Sequence, residues 1–246
     1  MEGKKTKKKL TRVGGGETQS TPKDTKPFVA SAESKTKAKK FRIFAILSWI
    51  VAIGFEIGAI MVLQKAPIST TWLIFLLVVD LIFVVIGSLH WKKANRLDPA
   101  SEKDKVKFFI QNQLGLIIAI IAFLPIVILI FTNKDLSGKQ KGLVGSIAVI
   151  ALVIAGLTGV DFDPASIEQY TEQTQQVEAL TDGVNHVYWT KSGKSYHIYQ
   201  DCSYINTDRT NEIFEGTVAQ ARELKNITDL CDRCENRAGK EKGVDN

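Results

Sequence analysis

The sequence predicts an α-helical multi-pass membrane protein with four transmembrane helices, followed by a small α+β domain made of a β-hairpin and a helix. Three observations carry that prediction. Four long apolar runs lie between residues 43 and 160. Charge is segregated around them: residues 1–42 hold thirteen Lys or Arg against four acids, whereas residues 161–246 hold nine against sixteen. The last third of the chain instead carries short aromatic and β-branched stretches broken by turn residues, the pattern of strands. The formal net charge of +6 over 246 residues therefore describes no single part of the molecule.

Residues 1–42 are rich in Lys, Thr, Ser and Gly and poor in apolar side chains. Such a segment buries too little surface to offset its chain entropy, and it reads as a disordered basic tail. A tail of this charge keeps the N-terminus in the cytoplasm. It also suits contact with anionic lipid head groups, worth about 1 kcal/mol per basic residue at the surface.

The apolar runs place spans at about 43–63, 72–91, 108–131 and 143–160. A helix needs roughly 20 apolar residues to cross a hydrocarbon core. The fourth run is the shortest and the richest in glycine. The first begins too far into the chain, is too long and lacks a following small-residue cleavage site, so it reads as a retained span and not a signal peptide. The 92–107 loop holds six basic residues and belongs on the cytoplasmic side with the tail. Four spans then return the C-terminal part to the cytoplasm of a cell-membrane protein. The three lysines of the 132–142 connector oppose that orientation mildly.

Two carboxyls interrupt the apolar runs, Glu56 and Asp80, and no Lys or Arg inside any span answers them. Ionisable groups at such depth are costly and mark candidate functional sites. Gly54 and Gly58 flank Glu56 at a spacing that lets helices approach, and Ala151, Ala155 and Gly159 repeat it in the fourth run. The same spacing admits packing between copies of the chain. Pro125 is expected to kink the third helix. His90 and Trp91 read as anchors at the cytoplasmic edge.

Residues 161–182 read as an acidic connector helix, capped at Asp163 with Pro164 at its first turn, and as a solvated spacer. The domain follows over 183–238, with a tail over 239–246. Its hairpin strands are 186–190 and 195–199, joined by a turn at 191–194. Thr217 and Gln220 form a capping box that opens a helix, with Val218, Ala221 and Leu224 facing the hairpin.

The chemical signal lies in this domain. All three cysteines, Cys202, Cys231 and Cys234, fall in the last 45 residues, and His197 precedes the first by five positions. An odd cysteine count argues against a closed disulfide framework. A His-x4-Cys pair, 28 residues, then a Cys-x2-Cys pair is the spacing of a small zinc module, in which four N or S ligands surround the ion tetrahedrally. Thiolate softness selects zinc over magnesium or calcium and leaves copper(I) and iron open. A hairpin plus one helix has little core of its own, so metal binding would supply the missing stability.

The residues carrying this pattern run from Val187-Tyr-Trp-Thr through Tyr196-His197 and Cys202-Ser-Tyr-Ile205 to Ala219, Ala221 and Cys231-Asp-Arg-Cys234. Over residues 186–235 the chain resembles the small Ada-like metal-binding domains of many bacterial proteins; the membrane block takes no part in the resemblance. It implies His197, Cys202, Cys231 and Cys234 as zinc ligands. Those domains use four cysteines, one of which accepts a methyl group, and often carry proline before the Cys-x2-Cys pair. Here His197 takes one ligand place and Leu230 stands where the proline would. Three thiolates and an imidazole leave less electron density on sulfur than four thiolates, which favours a closed structural site.

No nucleotide-binding loop, nucleophile–base pair or metalloprotease motif is evident, so an enzyme is disfavoured. The acidity of the C-terminal part disfavours nucleic acid as a partner. The reading is a membrane protein whose zinc module serves interaction or regulation with a protein partner the sequence does not name. Two alternatives stand beside it: a small ion-coupled transporter or channel-like protein using Glu56 and Asp80, and a membrane-tethered zinc-thiolate sensor of oxidation or alkylation.

Overall fold

The computed structural model describes residues 8–13 and 27–243. The described residues divide into two compact units: residues 30–165, and residues 166–243 together with residues 8–13 and 27–29.

The first unit is four helices, α1 (Ala32–Leu63), α2 (Thr70–Leu97), α3 (Lys105–Thr132) and α4 (Gly138–Gly159). Each starts where a polar side chain can take an orphan backbone N–H, not where the apolar run begins. Ser31, Ser69, Asp104 and Ser137 accept from the N–H groups of Ser34, Trp72, Lys107 and Gln140. Gln140 completes a capping box at Ser137. The helices therefore outrun the apolar stretches. α1 starts eleven residues before position 43, which corrects the expectation of a disordered tail up to residue 42.

Side-chain bonds between the helix ends fix an up-down-up-down arrangement. At one end, Asn133 Nδ2 donates to Leu63 O and Gln140 Nε2 to Thr70 Oγ1. At the other, Arg42 pairs with Asp98 at 2.8 Å, Lys92 Nζ donates to Val160 O, and Gln113 Nε2 donates to Asp161 O. Trp91 Nε1 and Asn95 Nδ2 share Gln111 O at that same end, which gives Trp91 an inward partner besides any interfacial role.

The unit is apolar inside and outside. Ala52, Ala59, Leu73, Leu77, Ala119, Phe123, Ala148 and Ala155 fill its core. Its outer face carries Ile50, Trp72, Phe109 and Leu157, each at least 59% exposed. A water-soluble bundle would show a polar stripe there. All four helices are long and apolar enough to cross a membrane, with mean hydropathy of 2.2 to 3.2 over their best windows. α3 runs helical through Pro125.

The small-residue patterns part company. A Cβ on Gly54 would meet nothing within 4 Å, and one on Gly58 only the flexible end of Leu76. Within the chain no close approach occurs at Gly54 and Gly58, because the buried face of α1 is Ala45, Ala52, Glu56 and Ala59. Gly159 does sit at a close crossing, and Gly115 of α3, which the sequence reading passed over, is its partner.

The second unit contains β1 (Lys9–Arg12), α5 (Ile167–Leu180), β2 (Val187–Trp189), β3 (Ser195–Tyr196), β4 (Glu212–Gly216), α6 (Val218–Lys225), β5 (Asp229–Leu230) and α7 (Asp232–Glu241). Strand order is β1-β4-β2 in one sheet and β3-β5 in a second. The expected hairpin survives as one bridge, Tyr188 to His197. The stronger pairing of β2 is with β4, antiparallel, and that of β3 is with β5. β4, an alternating Glu-Ile-Phe-Glu-Gly stretch, was not foreseen.

β1 corrects the tail expectation a second time. Residues 9–12 pair in parallel with 212–215. Lys9 faces Glu212 at 3.0 Å, Thr11 Oγ1 donates to Glu212 at 2.5 Å, and Val13 packs on the core beneath. The acidic edge of β4 thus takes a basic strand from the other end of the chain. The remainder of the expected tail, residues 1–7 and 14–26, lies outside the described residues.

α5 is not a solvated spacer. It is capped by Ser166, not Asp163, and its Tyr170 and Val177 are buried in this unit. Arg222 of α6 explains the packing. Its guanidinium is 1% exposed, stacks 5.0 Å from the centroid of Tyr170, and donates to Gln169 Oε1 at 2.6 Å and Gln173 Oε1 at 3.2 Å. Leu224, expected to face the hairpin, is exposed, because the turn of α6 puts Val218, Ala221 and Arg222 inward instead.

Candidate metal centre

Four short devices bring the predicted ligands together. The bridge between Tyr188 and His197, with backbone bonds of 2.6 and 2.7 Å, fixes the histidine at the end of β3. A tight turn carries Cys202, whose carbonyl accepts from Ile205 and Asn206 N–H. β5 delivers Cys231, whose N–H donates to Tyr196 O. α7 then starts on Cys231 as its N-cap residue and places Cys234 one turn on.

The ligand atoms of His197, Cys202, Cys231 and Cys234 all lie within 4.8 Å of one another, and all four residues are buried. No disulfide joins the cysteines. Cys234 Sγ lies 3.6 Å from His197 Nδ1. Zinc bound at about 2.3 Å by sulfur and 2.0–2.1 Å by nitrogen would need tetrahedral ligand separations of roughly 3.5–3.8 Å. The cluster therefore has the donor set and nearly the spacing of a closed tetrahedral site.

Burial sets the proton chemistry. It pushes the His197 imidazole down to about 4, so the ring is neutral and offers a lone pair at neutral pH. It pushes the Cys234 thiol up to about 12 and also raises that of Cys231. Without a cation these thiols keep their protons, and a bound divalent ion must displace them. Metal loading is thus a proton-releasing reaction. Lowering pH is expected to eject the metal with uptake of more than one proton per ion, while raising it above neutral retains the metal. A chromophoric zinc chelator read across a pH series measures both quantities. A pH-independent metal content would contradict thiolate ligation.

A groove of about 620 Å³ borders the cluster, lined by Tyr199, Asp201, Arg233, Arg237, Lys240 and Glu241 among others. Its charges largely answer one another. Arg237 stacks 4.0 Å above Tyr199 and pairs with Asp201 at 2.9 Å and Glu241 at 3.0 Å. Arg233 donates to Ser203 and stacks on Tyr204. Arg233, Arg237, Lys240 and Glu241 sit on α7, a helix absent from the expectation of a domain over 183–238 and a tail from 239. The amphipathic spacing of Cys234 and Ala238, both buried, was the available signal.

The other predicted pair, Glu56 on α1 and Asp80 on α2, belongs to the four-helix unit. Both are buried, on two helices that pack against each other. No family model, no curated protein and no solved structure matches the chain.

Proposed function

We propose that the chain is a membrane-anchored zinc protein, in which the Cys3His centre is structural and holds together a regulatory or interaction module on the cytoplasmic side. The buried convergence of His197, Cys202, Cys231 and Cys234 carries this reading. All three sulfurs belong to residues at most 5% exposed. That burial favours a structural ion over a thiolate that must meet an oxidant or alkylating agent. The Ada-like resemblance supports the same ligand set. The pairing of Arg237 with Asp201 and Glu241 lowers the cationic charge which that face offers to phosphate.

The location rests on two supports. β1 pairs with β4, so residues 9–12 and 212–215 share a compartment. Four antiparallel spans between them meet that requirement, and three or five would not. Eleven Lys or Arg fall in segments 30–42 and 92–107, against four in 64–71 and 132–142. The excess marks the end holding the start of α1 and the end of α4 as cytoplasmic.

The test uses the full-length protein. Purified from membranes, it should carry close to one zinc per chain by elemental analysis. Reporter fusions to the N-terminus and to the C-terminus should both score cytoplasmic. A chain without zinc ends the structural-metal reading. Reporters on opposite sides, or both outside, end the topology.

A further inference from the structure

We propose that Glu56 and Asp80 together form a reversible proton-binding site inside the four-helix unit, in which at least one of the two carboxyls holds a proton. The inference does not depend on the metal module. It starts from Asp80, which is 1% exposed, with both carboxylate oxygens buried and without a hydrogen-bond partner. An isolated carboxylate in that position would cost several kcal/mol. Such a group needs a counter-charge, a ligand or a proton.

No counter-charge is available. Along α1 the basic residues nearest to Glu56 are Arg42, fourteen residues before it, and Lys65, just past the helix end and nine residues after it, or about 21 and 14 Å along the axis. On α2, His90, Lys92, Lys93 and Arg96 begin ten residues beyond Asp80, about 15 Å away. α3 has no titratable side chain between Lys107 and Thr132, and α4 none between Lys141 and Gly159. On α1, which packs against α2, the buried titratable side chain is Glu56, itself 7% exposed. Two carboxyls in that relation cannot both be charged in an apolar core, so at least one proton stays with the pair.

A metal ion fits the place poorly. Calcium takes six to eight oxygen ligands, and intramembrane sodium sites draw on unwound backbone carbonyls. α1 and α2 are continuous helices through both positions, with their carbonyls engaged in the helical ladder. Two carboxyls can supply four oxygens and no more. A single proton on one of the two carboxyls removes one buried charge and leaves a net charge of −1 on the pair. Losing that proton leaves two adjacent charges; gaining another leaves a neutral pair.

Infrared spectroscopy of the full-length protein in lipid reads this directly, because a protonated carboxyl has a carbonyl stretch that a carboxylate lacks. The spectrum of Glu56→Gln/Asp80→Asn, which keeps both side-chain shapes, is subtracted to remove all other acids. The expected result is an acid band at neutral pH that disappears in the double variant, weakens reversibly as pH is raised, and is unchanged by sodium or potassium. No difference band overturns the proposal. So does a band that persists at every pH, which marks a fixed structural acid. A band erased by sodium at constant pH also overturns it and assigns the site to a cation. Should the double variant fail to fold, judged by lost metal and altered elution, the wild-type pH series with and without sodium makes the same decisions.

Discussion

Changing Cys234 to serine should remove the metal and unfold the module around it. Serine oxygen is a poor fourth ligand for zinc beside two thiolates and an imidazole, and Cys234 lies at the centre of the cluster, 1% exposed and next to His197 Nδ1. The energetic stake is large. Structural zinc contributes on the order of 10–16 kcal/mol at neutral pH in small modules, as much as the whole folding stability of a typical domain. The core here is thin: Trp189, Tyr196, Ile205, Ile213, Ile227 and a few smaller residues. The strands that hold the ligands are two to five residues long. Zinc should fall from about one per chain to less than roughly a tenth of that, and trypsin should cut at Arg222, which the folded module buries. Helical circular dichroism from α1–α4 should persist. His197→Cys is the informative companion, since it keeps four soft donors and should keep the metal. Full zinc retention in Cys234→Ser would remove that residue from the ligand set.

What the sequence made legible follows from the range of each signal. The convergence of the four candidate ligands was readable because metal ligation demands particular residue types at particular spacings, and His197-x4-Cys202 with Cys231-x2-Cys234 meets both demands. The four long helices were readable because a run of some twenty apolar residues has few other readings. The pairing of β1 with β4 was not. Four residues of basic strand, separated from their partner by about two hundred positions, carry no periodicity that distinguishes them from a solvated tail. The same holds for Arg222, which looks like a surface arginine on a charged helix until Tyr170, Gln169 and Gln173 close over it. At Gly54 and Gly58 the spacing of small residues was present and the close approach was not. Such a motif says that helices are able to approach, and the partner helix decides whether they do.

That last distinction yields the second large effect, at Gly159. A Cβ built there would lie 2.6 Å from the carbonyl carbon and oxygen of Gly115 and 2.7 Å from the amide nitrogen of Leu116. These are backbone atoms, which no rotamer change can move aside. The contact is reciprocal: a Cβ on Gly115 would meet Gly159 O at 2.9 Å and Ser88 Oγ at 3.0 Å. α3 and α4 therefore touch main chain to main chain at this crossing, and Gly159→Leu must push them apart. The separation would also strain the neighbouring ties from Lys92 to Val160 O and from Gln113 to Asp161 O. Overpacking of this kind costs about 1–3 kcal/mol, which in a chain of this length lowers Tm by roughly 5–10 °C at the upper end. Gly156 is one turn away on the same helix, where a new Cβ would meet only the flexible Leu116 side chain at 3.8 Å. Gly156→Ala should melt within about 2 °C of wild type, because alanine fits the helix and reduces the freedom of the unfolded chain. Melting of the detergent-solubilised protein compares the two. The pair isolates packing from composition, since both remove a glycine from one turn of one helix. If Gly159→Leu melted with Gly156→Ala, the α3–α4 contact at Gly115 would not be the joint that closes this end of the bundle.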